Sequence, residues 1–202
     1  MKRYTTDTII RYLNDLSSKK PTPGGGSVAC LTAAMGAGLI CMVAKFSDKE
    51  KKAADIIKKV TPLIKELTKL VDKDVMAYNK VKAVYDMPKR TELQKEKRKK
   101  KIKDALRGAL GVPCELLDLS LKGLVYAKEL VQVGNKALIS DTAMSAILLQ
   151  AAYQSAVYNI KINLRDINDK NLSKRIYKKI ERVTKRINSF SSEILKEIDK
   201  VL

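Results

Sequence analysis

The sequence contains no histidine. That absence removes Ser–His–Asp and Cys–His catalytic arrangements, and every histidine metal site, from the possible chemistries. Tryptophan is missing too, and aromatics make up only 5% of the chain, so a core has to be assembled from aliphatic and small side chains. The three cysteines, Cys30, Cys41 and Cys114, allow no even pairing and have no metal-ligand spacing. Cys30 and Cys41 stand eleven apart in an apolar run, near one helix face, and read as buried thiols. Cys114 follows Pro113 and has no imidazole to activate it, which argues against a nucleophile. Reduced cysteines, and a start (Met1–Leu13) without a signal-peptide apolar core, lead to the expectation of a cytoplasmic protein. No stretch alternates strictly between apolar and polar residues, and no fixed-period repeat occurs.

What is present is positive charge. Lys and Arg number 41 against 22 Asp and Glu, a formal charge of +19, which favours an anionic partner: nucleic acid, an acidic membrane surface or a polyanionic small molecule. The densest run, Lys89–Lys103, holds nine basic residues against Glu92 and Glu96 but no aromatic side chain on which a base could stack. A solvated helix face is its expected role, and nucleic acid is not the expected partner. At 202 residues the chain suits one domain, 1–202.

Apolar spacing of three and four predicts helices almost throughout. Ile9, Ile10, Leu13 and Leu16 mark a one-faced helix within Tyr4–Ser17. Val28–Ala44 has no charge and only Thr32 as a polar side chain, and Thr142–Ile160 is a second uncharged run. Val28–Ala44 is short and glycine-containing for a membrane span, so the expected fold is an all-α, multi-helical bundle with these two uncharged helices at its centre. Gly36 and Gly38 each cost a helix about 1 kcal/mol relative to alanine, and close approach by a neighbouring helix or ligand is their expected use. Ser47–Glu50 and Thr91–Gln94 have the capping-box pattern; Pro62 predicts a kink, Gly111–Pro113 a stop, and Gly134–Asn135 a helix end. Asn171–Leu202 reads as a last amphipathic helix.

The stretch Pro21-Thr-Pro-Gly-Gly-Gly-Ser27 opens the first uncharged helix. Its prolines fix the approach, its glycines permit backbone angles and contacts that a Cβ forbids, and Ser27 suits an N-cap. Unpaired amide N–H groups at such a start form a seat for a carboxylate, a phosphate or an anionic intermediate. If the two uncharged helices pack together, their entry turns, Gly24–Ser27 and Gly134–Asp141, are expected at one cavity. Asp74 and Tyr78, four apart on one helix face, are expected to point into it.

Taken together, these stretches resemble the formiminotransferase-cyclodeaminase C-terminal domain family. The resemblance rests on Pro21–Ser27 with the following Val-Ala-Cys-Leu-Thr-Ala-Ala-Met-Gly-Ala, on Asp74-Val-Met-Ala-Tyr78, on Pro88-Lys89, Arg98 and Pro113, on Gly134-Asn135 leading to Ser140-Asp141, and on Asn159 with Asn163-Leu164. The matches are collinear over roughly residues 5 to 165. The Lys97–Lys101 run is more basic than the family leads one to expect.

The resemblance implies an all-helical homodimer acting on the carbon that bridges N5 and N10 of a tetrahydrofolate. The activity is then either formiminotetrahydrofolate cyclodeaminase, which releases ammonia, or methenyltetrahydrofolate cyclohydrolase. Neither requires a metal or a permanently bound cofactor; the folate is the substrate. Asp74 is the expected acid/base and electrostatic carboxylate, Tyr78 its orienting partner or the pterin's, and Asp141 the second candidate, with helix capping as its alternative. Pro23, Gly24, Gly25, Gly26 and Ser27 are expected to receive an anionic group or ring atoms. Gly134, Asn135, Asn159 and Asn163 are expected along the pterin edge, and Lys89 and Arg98 on the carboxylates of a folate tail, including a polyglutamylated one. A basic helical nucleic-acid module and a catalytically idle member of the same fold are the alternatives.

Overall fold

A chain this charged can bury an uncharged helix only by surrounding it with amphipathic ones. In the computed structural model, which describes residues 3–47 and 51–202, helix α2 (Gly25–Lys45) packs chiefly against α3 (Lys51–Tyr85) and α5 (Ile139–Ile167). Helix α4 (Glu92–Val133) closes the ring by packing on α3 and α5, and α6 (Lys170–Asp199) lies outside against α4 and α5. A short helix α1 (Ile9–Leu16) precedes α2. Among the described residues there is no strand, so the expected all-helical bundle is observed.

By length and an 18-residue window of mean hydropathy 2.0, α2 could cross a bilayer, yet 61% of that window is buried inside the bundle. Small residues make this possible. A Cβ on Gly36 would stand 3.1 Å from the Ser145 carbonyl oxygen of α5, and one on Gly123 would stand 2.8 Å from Leu149. Gly38, by contrast, faces open space, so close approach explains Gly36 alone of that pair.

Several expectations are corrected. Neither proline breaks its helix: Pro62 lies within α3 and Pro113 within α4. Pro62 is exposed, and water can serve the carbonyl that loses its donor. The equivalent carbonyl four residues before Pro113 belongs to Ala109, and both residues line a cavity. Helix α1 does not bury its aliphatic stripe: Ile9 is 79% and Ile10 65% exposed. It docks instead through buried Tyr12, whose ring meets that of Tyr4 edge-on at 5.4 Å, and through buried Asp15. The Thr91–Gln94 capping box is formed, whereas the one expected at Ser47–Glu50 falls partly on residues 48–50, outside the described residues. Ser47 donates its hydroxyl back to the Val43 carbonyl at 2.8 Å.

The main correction concerns direction. Gly36 meets Ser145 and Leu149, while Gly134 reaches Val43 and Asn135 reaches Phe46 and Ser47. Helices α2 and α5 therefore run antiparallel, and their starts lie at opposite ends of the pair. The Gly24–Ser27 turn faces the last turns of α5.

Candidate active site

The N-terminus of α2 lacks a cap of its own. Gly24 is the N-cap, in extended conformation and without a side chain, and Ser27 sits inside the helix rather than capping it. None of the glycines has a positive φ, so backbone freedom is not what the three-glycine run supplies. Proximity is. A Cβ on Gly26 would lie 2.1 Å from Asp74 Oδ1, whereas nothing lies within 4 Å of one on Gly24 or Gly25. The Ser27 backbone N–H donates to the Asp74 carboxylate. The seat for an anion that the sequence predicts is thus taken by a carboxylate of the chain itself, delivered from α3.

A polar frame fixes this contact from behind. Ser27 is fully buried, and its hydroxyl accepts a hydrogen bond from Tyr12 at 3.1 Å. The Tyr4 hydroxyl donates to Asp15 at 2.9 Å and lies 3.1 Å from the Thr22 carbonyl, and Lys20 pairs with Asp15. The Tyr4 N–H reaches Asp72 Oδ1 of α3 at 2.8 Å, so the turn and α3 are tied on both sides. Pro23, after a cis peptide bond, is buried in this frame and does not line the cavity.

In front of Asp74 lies a cavity of about 360 Å³. Gly24–Gly26 form its floor; Asp74, Tyr78, Val81 and Tyr85 form one wall, Leu106, Ala109 and Pro113 a second, and Asn159, Asn163 and Asp166 a third. Burial pushes the Asp74 carboxyl up to about 6, opposed by the Ser27 N–H, which favours the anion. Asp74 is therefore a carboxyl that exchanges its proton near neutrality. Burial, with a smaller contribution from the Asp74 charge, pushes the Cys30 thiol up to about 12, so that sulfur is no nucleophile at neutral pH.

Of the residues singled out in the sequence, Asp74, Tyr78, Gly24, Gly25, Gly26, Asn159 and Asn163 meet at this cavity, with Ser27 directly behind Asp74. Gly134, Asn135 and Asp141 do not. Asn135 caps a 3-10 turn by accepting from the Ala137 N–H at 3.0 Å, and Gly134 ends α4 against Leu130, its N–H donating to the Leu130 carbonyl. Asp141 lies in the first turn of α5, where a negative charge suits the helix dipole. Arg98 and Lys89 do not line the cavity either: the Arg98 guanidinium lies 2.9 Å from the Tyr85 carbonyl, satisfying the end of α3, and Lys89 is exposed in the α3–α4 loop. The sequence reading missed Val81 and Tyr85, though they continue the Asp74–Tyr78 stripe by steps of three and four. It also missed Asp166, seven residues beyond Asn159 on the same face of α5.

The family model described as Formiminotransferase-cyclodeaminase matches residues 8–182 of the chain. A methenyltetrahydrofolate cyclohydrolase of Methylorubrum extorquens is 29% identical over 199 residues, 95% of this chain and 96% of that protein. A formimidoyltransferase-cyclodeaminase of Gallus gallus is 28% identical over 98% of this chain, which spans only 38% of that longer protein. The crystal structure of a formiminotetrahydrofolate cyclodeaminase from Thermotoga maritima is similar over 96% of both chains, at 27% identity and a TM-score of 0.86.

Proposed function

The chain belongs to the formiminotransferase-cyclodeaminase family, and from that premise we propose that it is a one-carbon folate enzyme acting on the N5–N10 bridge of tetrahydrofolate. Its reaction is hydrolysis of the methenyl form or cyclodeamination of the formimino form. The observation that carries this reading is a single carboxyl, Asp74, held against a helix N-terminus at the mouth of a cavity, with its acidity moved to about 6.

The chemistry follows from that placement. The methenyl carbon carries a delocalised positive charge, and an anionic Asp74 beside it stabilises that charge. In hydrolysis, water adds to this carbon and gives a proton to Asp74; one C–N bond of the neutral adduct then breaks as Asp74 returns that proton to the leaving nitrogen, while the hydroxyl left on carbon releases its own proton to solvent and becomes the formyl C=O. In cyclodeamination N10 attacks the formimino carbon, and the proton it sheds is passed to the departing ammonia. A group near 6 serves both directions of transfer, whereas an ordinary aspartate is too weak a base to take the proton efficiently. Tyr78, 45% exposed on the cavity wall, offers its ring face to the pterin. Arg98, which reaches the carbonyl of the cavity residue Tyr85, and the exposed Lys89 are assigned in this reading to the carboxylates of the folate tail, polyglutamylated or not. No bound cofactor enters these steps.

Absorbance of methenyltetrahydrofolate, followed as it is consumed and as it forms from the formimino compound, tests the reading. The purified protein is expected to turn over at least one of the two; inactivity on both refutes the assignment.

We also propose that the protein works as a homodimer, and that its unpaired thiols suit the cytoplasm. Helices α2 and α5 leave large apolar side chains exposed: Met35 by half, and Met144 and Ile147 by 51% each. Pairing with a second copy across a twofold axis would remove these side chains from water. Sedimentation is expected to give a dimer, and Met144→Glu with Ile147→Glu a monomer; a monomeric parent protein refutes this.

A further inference from the structure

The α5 wall of the cavity carries three side chains with acceptor oxygens, one of them a carboxylate. Asn159, Ile162, Asn163 and Asp166 follow the spacing of one helix face and all line the cavity. Asn159 donates its amide N–H to the Ser155 carbonyl at 3.1 Å, and Asn163 donates to the Asn159 carbonyl at 2.8 Å. Each side chain ties one of its two amide N–H groups to its own helix and leaves its amide oxygen, with one N–H, for whatever enters. Asp166 adds a carboxylate. Its Oδ1 accepts from Arg165 Nε at 2.9 Å, but Arg165 is 72% exposed, so that pair is screened by water and readily exchanged. Across the cavity, Pro113 removes the donor that would otherwise serve the Ala109 carbonyl.

The Asp166 carboxylate is the one acceptor-only side chain on this wall, and it selects a ligand by its donors. A reduced pterin has one edge where the ring N3–H and the 2-amino group lie side by side and point the same way. A carboxylate matches that pair with its two oxygens, as it matches a guanidinium fork. The opposite face of the cavity, with Asp74, is then left for the N5–N10 bridge. Building on the folate reading above, we infer that Asp166 takes the 2-amino/N3–H edge of the pterin and is the residue by which the site distinguishes this ring from bicyclic rings without the amino group. Asn163, one turn earlier, offers the next acceptor along the edge. Asp166 is a substrate-binding residue in this assignment and takes no part in the proton transfers.

The experiment is a comparison of two ligands in three proteins. Steady-state kinetics are measured with the better of the two one-carbon substrates and with its 2-desamino-2-methyl analogue, on the parent protein, on Asp166→Asn and on Arg165→Ala. The parent is expected to prefer the amino compound by about 100-fold or more in kcat/KM, because rejecting a ligand that lacks a donor leaves a desolvated acceptor unpaired. Asp166→Asn is expected to raise KM for the natural substrate by about 30-fold with kcat within about 3-fold, and to reduce the preference to about 5-fold or less. Arg165→Ala removes only the ion pair and is expected to keep both the KM and the preference. An active parent whose Asp166→Asn variant retains its discrimination overturns this assignment while leaving the folate reading intact. A parent inactive on both one-carbon substrates overturns the folate reading and the assignment with it.

Discussion

Asp74→Asn is expected to lower kcat by about 1000-fold or more while making the protein harder, not easier, to unfold above pH 7. The activity loss follows because asparagine neither carries the charge that balances the one-carbon cation nor exchanges a proton. The stability gain follows from linkage. The Asp74 carboxyl has an acidity of about 6 in the fold against an ordinary 3.8, so the folded protein holds that proton more tightly than the unfolded chain. The stabilisation this gives is complete below about pH 4 and is lost as pH rises through about 6. Above that, keeping Asp74 ionised costs the fold up to roughly 3 kcal/mol, a ceiling set by the remaining exposure of the group. Asparagine has no such cost and still offers an oxygen to the Ser27 N–H. For a chain of this size each kcal/mol is worth about 2–4 °C, so thermal unfolding at pH 8 is expected to rise by several degrees, with little difference at pH 4. A variant that unfolds at a lower temperature at pH 8 would show that the carboxylate is a structural cap first and a strained catalytic group second.

Gly26→Ala is the second large effect, and it tests the contact rather than the charge. The new methyl would overlap Asp74 Oδ1 at 2.1 Å and Cγ at 2.7 Å. The carboxylate has only two side-chain torsions with which to move, and behind it the Ser27 N–H no longer has a partner if it does. Displacement by about 1 Å is enough to lose two orders of magnitude in rate, so kcat/KM is expected to fall at least about 100-fold, with a stability loss of about 1–3 kcal/mol from overpacking. Gly25→Ala is the control: its Cβ meets nothing within 4 Å, so the fold should be unchanged and any effect should appear in KM as the cavity floor rises. Equal losses in the two variants, measured by steady-state kinetics and urea unfolding, would show that the run of glycines matters for backbone conformation after all.

These contacts mark how far the sequence alone could be read. Helix identity and the core pair were legible because Val28–Ala44 and Thr142–Ile160 carry no charge in a chain where charge is dense. Asp74 with Tyr78, and Asn159 with Asn163, were legible because a spacing of four assigns a common face. Extending the first stripe by two turns reaches Val81 and Tyr85, and the second by one turn reaches Asp166; that signal was present but unused. Direction was the harder matter. A stop at Gly111–Pro113, if taken as a chain reversal, makes the two uncharged helices parallel and brings their starts together; the unbroken α4 makes them antiparallel and carries Gly134, Asn135 and Asp141 away. Nothing local to Pro113 announces which holds, because the bond it loses can be left to a cavity. Helix α1 was misread for a related reason. Its aliphatic spacing is regular, but the side chains that find partners are Tyr12 and Asp15, through hydroxyl and ion-pair contacts that no apolar periodicity encodes.

The antiparallel arrangement has one more consequence. Because α5 presents its carbonyl-rich end where α2 presents its start, and the cavity lining holds Asp74 and Asp166 but, among the described residues, no lysine or arginine, the hollow carries acidic groups within a chain whose formal charge is +19. A uniformly charged ligand satisfies one of these regions and is repelled by the other. A molecule with a cationic head and an anionic tail satisfies both, and the sign inversion between interior and exterior orients it before any side chain touches it.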